Sequence, residues 1–289
     1  MPDALLCLLA FLTATAAAAP RAALRLHSAP MLAATALGML VLKILPGLPP
    51  TSAADRFLCL LPVLALADLT ELVTSPRTHR LLLQIALLTI VPVVLHQSVW
   101  LTQPAPATIL GYTPNGWLLL ICLSPLPPAG AMLLRRLTAD SRQPSAAACL
   151  PASLVCCLLC SGIVIMLGGY LKGGLLALPL AGSMLPWAVR LGLGYPQTTT
   201  RLPLSFCWGS LCSLLLIGLF FGRLTPVQAA CFACIPLLTA LPVLQPHTPS
   251  DCRRQTLIRM AVTLTLCGLL LLQAWTVFAV RMLPLLAHT

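Results

Sequence analysis

Two carboxylates lie inside an apolar run and raise the first question of chemistry. The stretch LADLTELVTSPRTHR places Asp68 and Glu71 three residues apart, in a chain with only 6 acidic residues. At that spacing two side chains share one face of a helix. Two ionised carboxylates in an apolar environment repel each other and resist desolvation, so we expect one or both to be protonated or paired. The cations expected nearby are Arg77, Arg80 and Arg190.

A histidine and a lysine extend this set of polar residues into neighbouring apolar segments. His96 and Lys43 are predicted to lie at a similar depth, away from the carboxylates. A ladder Glu71–Asp68–His96–Lys43, with water or polar side chains between its members, would suit a proton relay. In the alternative interpretation Glu71 pairs with an arginine, Asp68 is held by structural hydrogen bonds, and His96 satisfies backbone near Pro92. The sequence leaves both interpretations open.

Catalytic and metal-binding motifs are absent from the sequence. There is no H-E-x-x-H, no G-x-S-x-G, no paired aspartate-rich motif and no Cys–His zinc spacing. Most of the 13 cysteines lie in apolar runs, where a thiol behaves as a small hydrophobic group. Cys231 and Cys234 have C-x-x-C spacing but no second pair. We therefore expect no catalytic residue, no metal and no cofactor.

The composition is that of an integral membrane protein. Hydrophobic residues make up 59% and charged residues 8% of the 289 positions, whereas soluble domains are about 25% charged. The formal net charge is +11, but the basic residues lie at the ends of apolar runs rather than on a polar domain with interleaved aromatics. That distribution excludes nucleic acid as the expected partner and points to the lipid bilayer.

Apolar segments recur along the whole chain. Each is long enough to cross or nearly cross ~30 Å of hydrocarbon as a helix. The sequence therefore predicts an all-α, polytopic membrane bundle of about ten transmembrane helices, forming a single domain over 1–289 without a soluble domain. The predicted segments are 4–19, 30–47, 57–75, 81–101, 116–134, 151–171, 174–191, 203–221, 226–243 and 257–280.

The basic residues predict an orientation. Twelve of the 17 lysines and arginines fall in one set of alternate connections, which the positive-inside rule assigns to the cytoplasm. Both termini then face outside. The first segment could instead be a cleaved signal peptide, because TATAAAAP offers small residues, although the start carries Asp3 and lacks the usual basic region. Ten spans also allow two inverted halves, which the sequence does not decide.

Two stretches resemble a group of bacterial multi-span membrane proteins of unknown function. They are GLPPTSAADRFLCLLPVLALADL and VVLHQSVWL, and the likeness rests on the Pro-Pro…Asp55-Arg56 start of one span and the His96-x-Ser98-x-Trp100 end of the next. The resemblance implies a bacterial inner membrane and an Asp55–Arg56 ion pair at the outer face. It implies no catalytic residue.

The expected function is transport of a small solute, with proton coupling as one form of it. The intramembrane Asp68 and His96 and the prolines within spans favour this, since SPLPP should break the fifth span near its middle. A structural or accessory subunit of a membrane complex is the alternative, and a membrane-embedded lipid-modifying enzyme is a third. The substrate, the coupling ion and the oligomeric state do not follow from the sequence.

Overall fold

Helices account for the regular secondary structure of the described part of the chain. The computed structural model describes residues 7, 9–15, 28–44, 46–47, 49–70, 74–102, 112–139, 144–192, 203–241 and 249–286. The helices, in chain order, are α1 (9–15), α2 (Ser28–Val41), α3 (Ala53–Leu69), α4 (Pro76–Leu88), α5 (Ile90–Leu95), α6 (Val99–Thr102), α7 (Pro114–Leu123), α8 (Leu126–Ala139), α9 (Pro144–Leu167), α10 (Leu171–Leu175), α11 (Ala177–Gly192), α12 (Leu204–Phe220), α13 (Pro226–Ala240) and α14 (Pro249–Leu286).

Three helix pairs are interrupted rods, and prolines explain where they break. Helices α4 and α5, α7 and α8, and α10 and α11 are separated by one or two residues. Helix α4 ends four residues before Pro92, α7 four residues before Pro127, and α10 four residues before Pro179. A proline ring clashes with the carbonyl four residues earlier and provides no N–H to it. The predicted break at SPLPP is thus present, at residues 124–125.

One end of the molecule, named the Asp55 end, joins the start of α3 to the start of α10. The Lys172 Nζ lies 2.7 Å from Asp55 Oδ1. At the same end the indole of Trp100 in α6 donates to the carbonyl of Phe220, the last residue of α12, at 3.1 Å. The helices that begin or finish here therefore include α3, α6, α10 and α12.

The opposite end, named the Asp68 end, is where α3 finishes and where α2, α4 and α8 begin or finish. The hydroxyl of Ser28 at the start of α2 donates to the carbonyl of Ala65, near the end of α3, at 2.9 Å. The ring of His79 in α4 lies 3.4 Å from the guanidinium of Arg135 in α8. Successive rods therefore run in opposite directions, as short connections between apolar segments require.

Four helices are long and apolar enough to cross a membrane. They span Pro76–Leu95, Pro114–Thr138, Cys149–Leu167 and Arg254–Val280. Helices α2, α12 and α13 are shorter apolar helices, and α3 has 17 residues. The described structure is thus an all-helical protein with four candidate membrane-spanning helices, against the ten that the sequence predicts.

Helix α12 is the most enclosed element of the described structure. Nearly all of its residues are buried. Trp208 packs over Gly130 of α8 and donates its indole N–H to the carbonyl of Pro127 at 2.8 Å, beside the break between α7 and α8. On another side, a Cβ added at Gly209 would lie 2.9 Å from Leu64 of α3. Helix α12 therefore holds α3 and α8 in fixed positions.

Helix α9 meets the α10–α11 rod at a glycine contact. A Cβ added at Gly162 would lie 2.4 Å from the Cβ of Ala177 and 2.8 Å from the carbonyl oxygen of Gly174. Small residues at such a contact let two backbones approach closely, which favours packing between membrane helices.

We predict that Gly162→Ala destabilises the protein by about 1–3 kcal/mol, because the added methyl group overpacks this contact. Thermal unfolding of the purified protein, followed with a thiol-reactive dye that reports exposure of the buried cysteines, measures the change. Gly268→Ala is the matched control, since nothing lies within 4 Å of a Cβ at that position. Equal unfolding temperatures for the two variants would show that the α9 contact tolerates a side chain.

Candidate functional site

The carboxylate of Asp68 binds the first turn of a helix far away in sequence. Asp68 is half-buried near the end of α3. Its Oδ2 accepts the backbone N–H of Phe206 at 2.8 Å, and its Oδ1 accepts the backbone N–H of Ser205 at 3.3 Å. Both amides belong to the first turn of α12, so this carboxylate joins two helices that pack together.

The contact has a clear electrostatic reason. The first N–H groups of any helix lack partners within the helix, and they carry partial positive charge. The residue at the N-cap of α12 is Pro203, which makes no side-chain capping bond. An anion supplied by another helix meets the same need. Hydrogen bonds to an ionised carboxylate are also roughly twice as strong as neutral ones. Asp68 is therefore the cap of α12.

A buried histidine and an arginine stand beside this contact. The Nδ1 of His79 lies 2.9 Å from the hydroxyl of Thr70, and its Nε2 lies 3.4 Å from the guanidinium of Arg135. The charge of Arg135 also acts on Asp68. We call Asp68, Thr70, His79 and Arg135 the Asp68 cluster. It draws on α3, on the residue that follows α3, on α4 and on α8.

His79 is not among the candidate residues predicted from the sequence, although a signal for it exists. It falls in the connection between the predicted segments 57–75 and 81–101. Yet His79 lies on the same helical face as Leu83 and Ala86, which are buried. Helical periodicity from the apolar part of α4 back to its first turn would have marked this histidine as inward-facing.

Two other predicted site residues are Arg190 and Glu71. Arg190 lies in the last turn of α11 and is half-buried. Helix α11 packs antiparallel to α2, with Pro179 beside Gly38 and Ser183 beside Thr35, so its last turn lies toward the Asp68 end. Glu71 lies outside the described residues.

His96 and Lys43 lie at the other end of the molecule. His96 is exposed after α5, and its Nδ1 lies 3.2 Å from the hydroxyl of Tyr112. Lys43 is exposed after α2 in a left-handed conformation with φ of 56°. The thirteen residues from Asp55 to Asp68 correspond to about 20 Å of helix. The structure therefore brings neither His96 nor Lys43 to Asp68.

At the Asp55 end the acid has a different partner from the one that the resemblance implied. Asp55 forms its salt bridge with Lys172, while the buried Arg56 donates to the backbone carbonyl of His96. Neighbouring residues on a helix point in different directions and do not face each other. The expected Asp55–Arg56 pair is thus replaced by a pair between α3 and α10.

Asp55 also helps to cap the start of α3. It forms a capping box with Ser52, in which the serine hydroxyl accepts from the amide of Asp55 and the carboxylate accepts from the amide of Ser52. Burial acts to raise the pKa of Asp55, but hydrogen bonds from Lys172, Ser52 and the Gly47 backbone outweigh it and lower the pKa from 3.8 to about 2. This carboxylate is ionised and structural at neutral pH.

The described cysteines and acids form no arrangement for holding a metal. Among the residues that the structure covers, no group of three or more His, Cys, Asp or Glu side chains could hold an ion. Cys231 and Cys234 are free thiols on α13. The chemistry that the described geometry offers is proton exchange and electrostatic binding at the two ends.

Comparison with protein-family models, with curated proteins and with solved structures finds no match for this chain.

We predict that Asp55→Asn removes a pH-dependent part of the stability. Because the folded-state pKa is lowered, the ionised carboxylate stabilises the fold above pH 4, and this contribution is lost as the pH falls from about 4 to 2. Thermal unfolding of both proteins at several pH values in that range measures it. The variant should unfold at a lower temperature at pH 7 and converge with the wild type near pH 2.

Lys172→Gln is the matched variant on the other side of the pair and should lower the unfolding temperature at pH 7 as well. A wild-type acid unfolding profile in Asp55→Asn would contradict a stabilising role for the pair.

Proposed function

We propose that this chain is a proton-coupled transporter of small solutes in a bacterial inner membrane, with Asp68 as the proton-linked group. The observation that carries the proposal is the bond between the Asp68 carboxylate and the first turn of α12. An ionisable residue within the apolar part of a membrane protein marks a pathway for ions or protons more often than a purely structural site.

Protonation of Asp68 changes the contact between α3 and α12 in a defined way. The ionised carboxylate accepts two backbone N–H groups and balances the positive end of the helix. A neutral carboxyl group keeps the shape but loses the charge, so the attraction weakens. Because α12 is enclosed on nearly all sides, a shift at its start passes to the helices packed around it. This is the kind of two-state contact that a proton can bias.

The interrupted rods also support a transporter. The pairs α4–α5, α7–α8 and α10–α11 are broken at prolines, and Trp208 of α12 contacts Pro127 beside one of these breaks. Discontinuous helices form the moving parts and binding sites of many transporters. Helix α12 thus links a first turn that responds to protons with a rod that can bend.

An accessory subunit of a membrane complex is the second candidate, and α14 favours it. Within Arg254–Val280, only 17% of an apolar 18-residue stretch is buried against the rest of the chain. Leu264, Leu272 and Trp275 are among its exposed side chains. In this candidate a partner protein covers part of that surface, whereas in the transporter lipid covers it.

The proposal includes ten membrane spans and their orientation in the membrane. The alternating directions of the rods support one crossing for each predicted segment, with the short helices α2, α3, α12 and α13 crossing beside the four long ones. Arg77, Arg80, Arg135 and Arg136 all lie at the Asp68 end, which the positive-inside rule assigns to the cytoplasm. Both termini then lie outside.

We predict that Asp68→Asn abolishes solute-driven proton flux. The purified protein is reconstituted in vesicles that contain a pH-sensitive dye, and amino acids, monosaccharides, monocarboxylates and Na⁺ are added one at a time. At least one should change the internal pH through the wild-type protein. The asparagine variant keeps the size of the side chain and one acceptor oxygen but cannot exchange the proton, so its response should equal that of empty vesicles.

Asp55→Asn is the matched control, because it neutralises the other described acid of α3 and leaves the Asp68 cluster intact. It should retain the solute response at neutral pH. A full response in Asp68→Asn would contradict the proposal, and no response of the wild-type protein to any solute would favour the accessory subunit.

We predict that reporter fusions place residue 139 on the cytoplasmic side and residues 171 and 223 on the outer side. The basis is that α8 ends at the Asp68 end and that α10 and the connection after α12 lie at the Asp55 end. Enzymatic reporters that work on only one side of the membrane read the result. Fusions at 139 and 171 with the same activity would overturn the arrangement.

A further inference from the structure

The outer surface between α4 and α8 combines exposed arginines with an exposed apolar face. Both helices belong to rods that are long and apolar enough to span a membrane. They contain no acidic residue between 76 and 88 or between 126 and 139. Arg80 in α4 and Arg136 in α8 are exposed. The surface therefore carries positive charge that these two helices do not balance.

A contact between the two helices fixes where the arginines lie. The amide of Gln84 donates to the sulfur of Met132 at 3.2 Å. The helices run in opposite directions, so Arg80 lies one turn before Gln84 and Arg136 one turn after Met132, both on the side of the Asp68 end. Each is displaced by about 6 Å along its axis. Arg80 and Arg136 therefore lie on the two sides of one seam at the same level along the helix axes.

A buried histidine and a half-buried arginine hold this seam in place. Behind it, the ring of His79 lies 3.4 Å from the guanidinium of Arg135. His79 is buried, and it neighbours Arg80 as Arg135 neighbours Arg136. The bond joins the first turn of α4 to the last part of α8. The exposed arginines thus sit on backbone whose spacing is set by the interior.

Below the arginines the same seam is apolar. The exposed side chains are Leu81, Ile85 and Leu88 on α4 and Leu126, Met132 and Leu133 on α8. The surface thus changes from cationic to apolar over a few helical turns, in the order in which a phospholipid changes from headgroup to acyl chain. A free phosphate ion would use the arginines and leave the apolar part of the seam without a role.

We propose that this seam, from Arg80 and Arg136 to Leu88 and Leu126, is a binding site for an anionic phospholipid. The two guanidinium groups bind the phosphate, since arginine presents several N–H donors in a planar fork. The acyl chains lie along the leucines, Ile85 and Met132. Basic residues between membrane helices select anionic headgroups in this way. The site is independent of proton coupling at Asp68.

The test measures lipid affinity with the full-length protein in detergent. Native mass spectrometry titrations compare phosphatidylglycerol with phosphatidylcholine of the same chain length, and inorganic phosphate forms a separate arm. The wild type should bind phosphatidylglycerol more tightly, and phosphate alone should not compete at the same concentration. At about 1 kcal/mol for each arginine, Arg80→Gln with Arg136→Gln should weaken phosphatidylglycerol binding about 25-fold.

Two controls make the result specific. Arg223→Gln removes an exposed arginine at the Asp55 end and should leave the lipid preference unchanged. The charge-conserving pair Arg80→Lys and Arg136→Lys should keep most of the preference, and it separates loss of charge from misfolding. Equal affinity of the wild type for the two lipids would overturn the proposal. So would an equal loss in Arg223→Gln, competition by phosphate alone, or a dimer that buries this seam.

Discussion

A helix that starts inside a membrane protein must find partners for its first backbone amides, and this requirement governs the centre of the structure. No water is available in hydrocarbon to satisfy these groups. The most enclosed helix, α12, begins after Pro203, which makes no capping bond. Asp68 of α3 fills that role with both carboxylate oxygens. The start of α12 is therefore held by a long-range contact with α3, in addition to the packing along the rest of the helix.

Other helices in the described structure solve the same problem locally. Ser52, Ser75, Thr113 and Thr225 each cap the helix that follows them, through a side chain that accepts a backbone N–H. These caps are neutral or part of a capping box, and they need no distant residue. The difference matters because a local cap holds one helix, whereas Asp68 holds two helices together. Helix packing is sensitive to protonation where a carboxylate joins two helices, as Asp68 joins α3 to α12 and Asp55 joins α3 to α10.

Much of the helical framework follows from the sequence because it depends on local chemistry. Apolar runs and serine or threonine caps are visible within a few residues of each helix. The breaks before Pro92, Pro127 and Pro179 are less visible, because prolines also lie within the continuous helices α3, α11 and α13. The short α3, however, ends at Leu69, so Asp68 lies at a helix end rather than within a longer span. Asp68 therefore lies beside the start of α12 instead of deep within a span.

The site contacts could not be predicted because they join residues far apart in sequence. The partners of Asp68 lie 137 and 138 residues away, and Lys172 lies 117 residues from Asp55. The sequence offers only indirect signals. Pro203, which has no capping side chain, precedes an apolar run, and His79 lies on the buried face of α4. Helix geometry alone does exclude the Asp55–Arg56 pair, because adjacent residues on a helix diverge.

The charge imbalance of the chain connects its interior to its lipid surface. The sequence has 17 basic and 6 acidic residues. Asp55 is engaged by Lys172 and Asp68 by the start of α12, so neither is available to neutralise the arginines at the Asp68 end. Charges at a membrane boundary attract counter-charges within about one Debye length, and the phosphates of anionic lipids are fixed there at high density. In the proposed lipid site, Arg80 and Arg136 therefore meet a phosphate rather than Asp55 or Asp68.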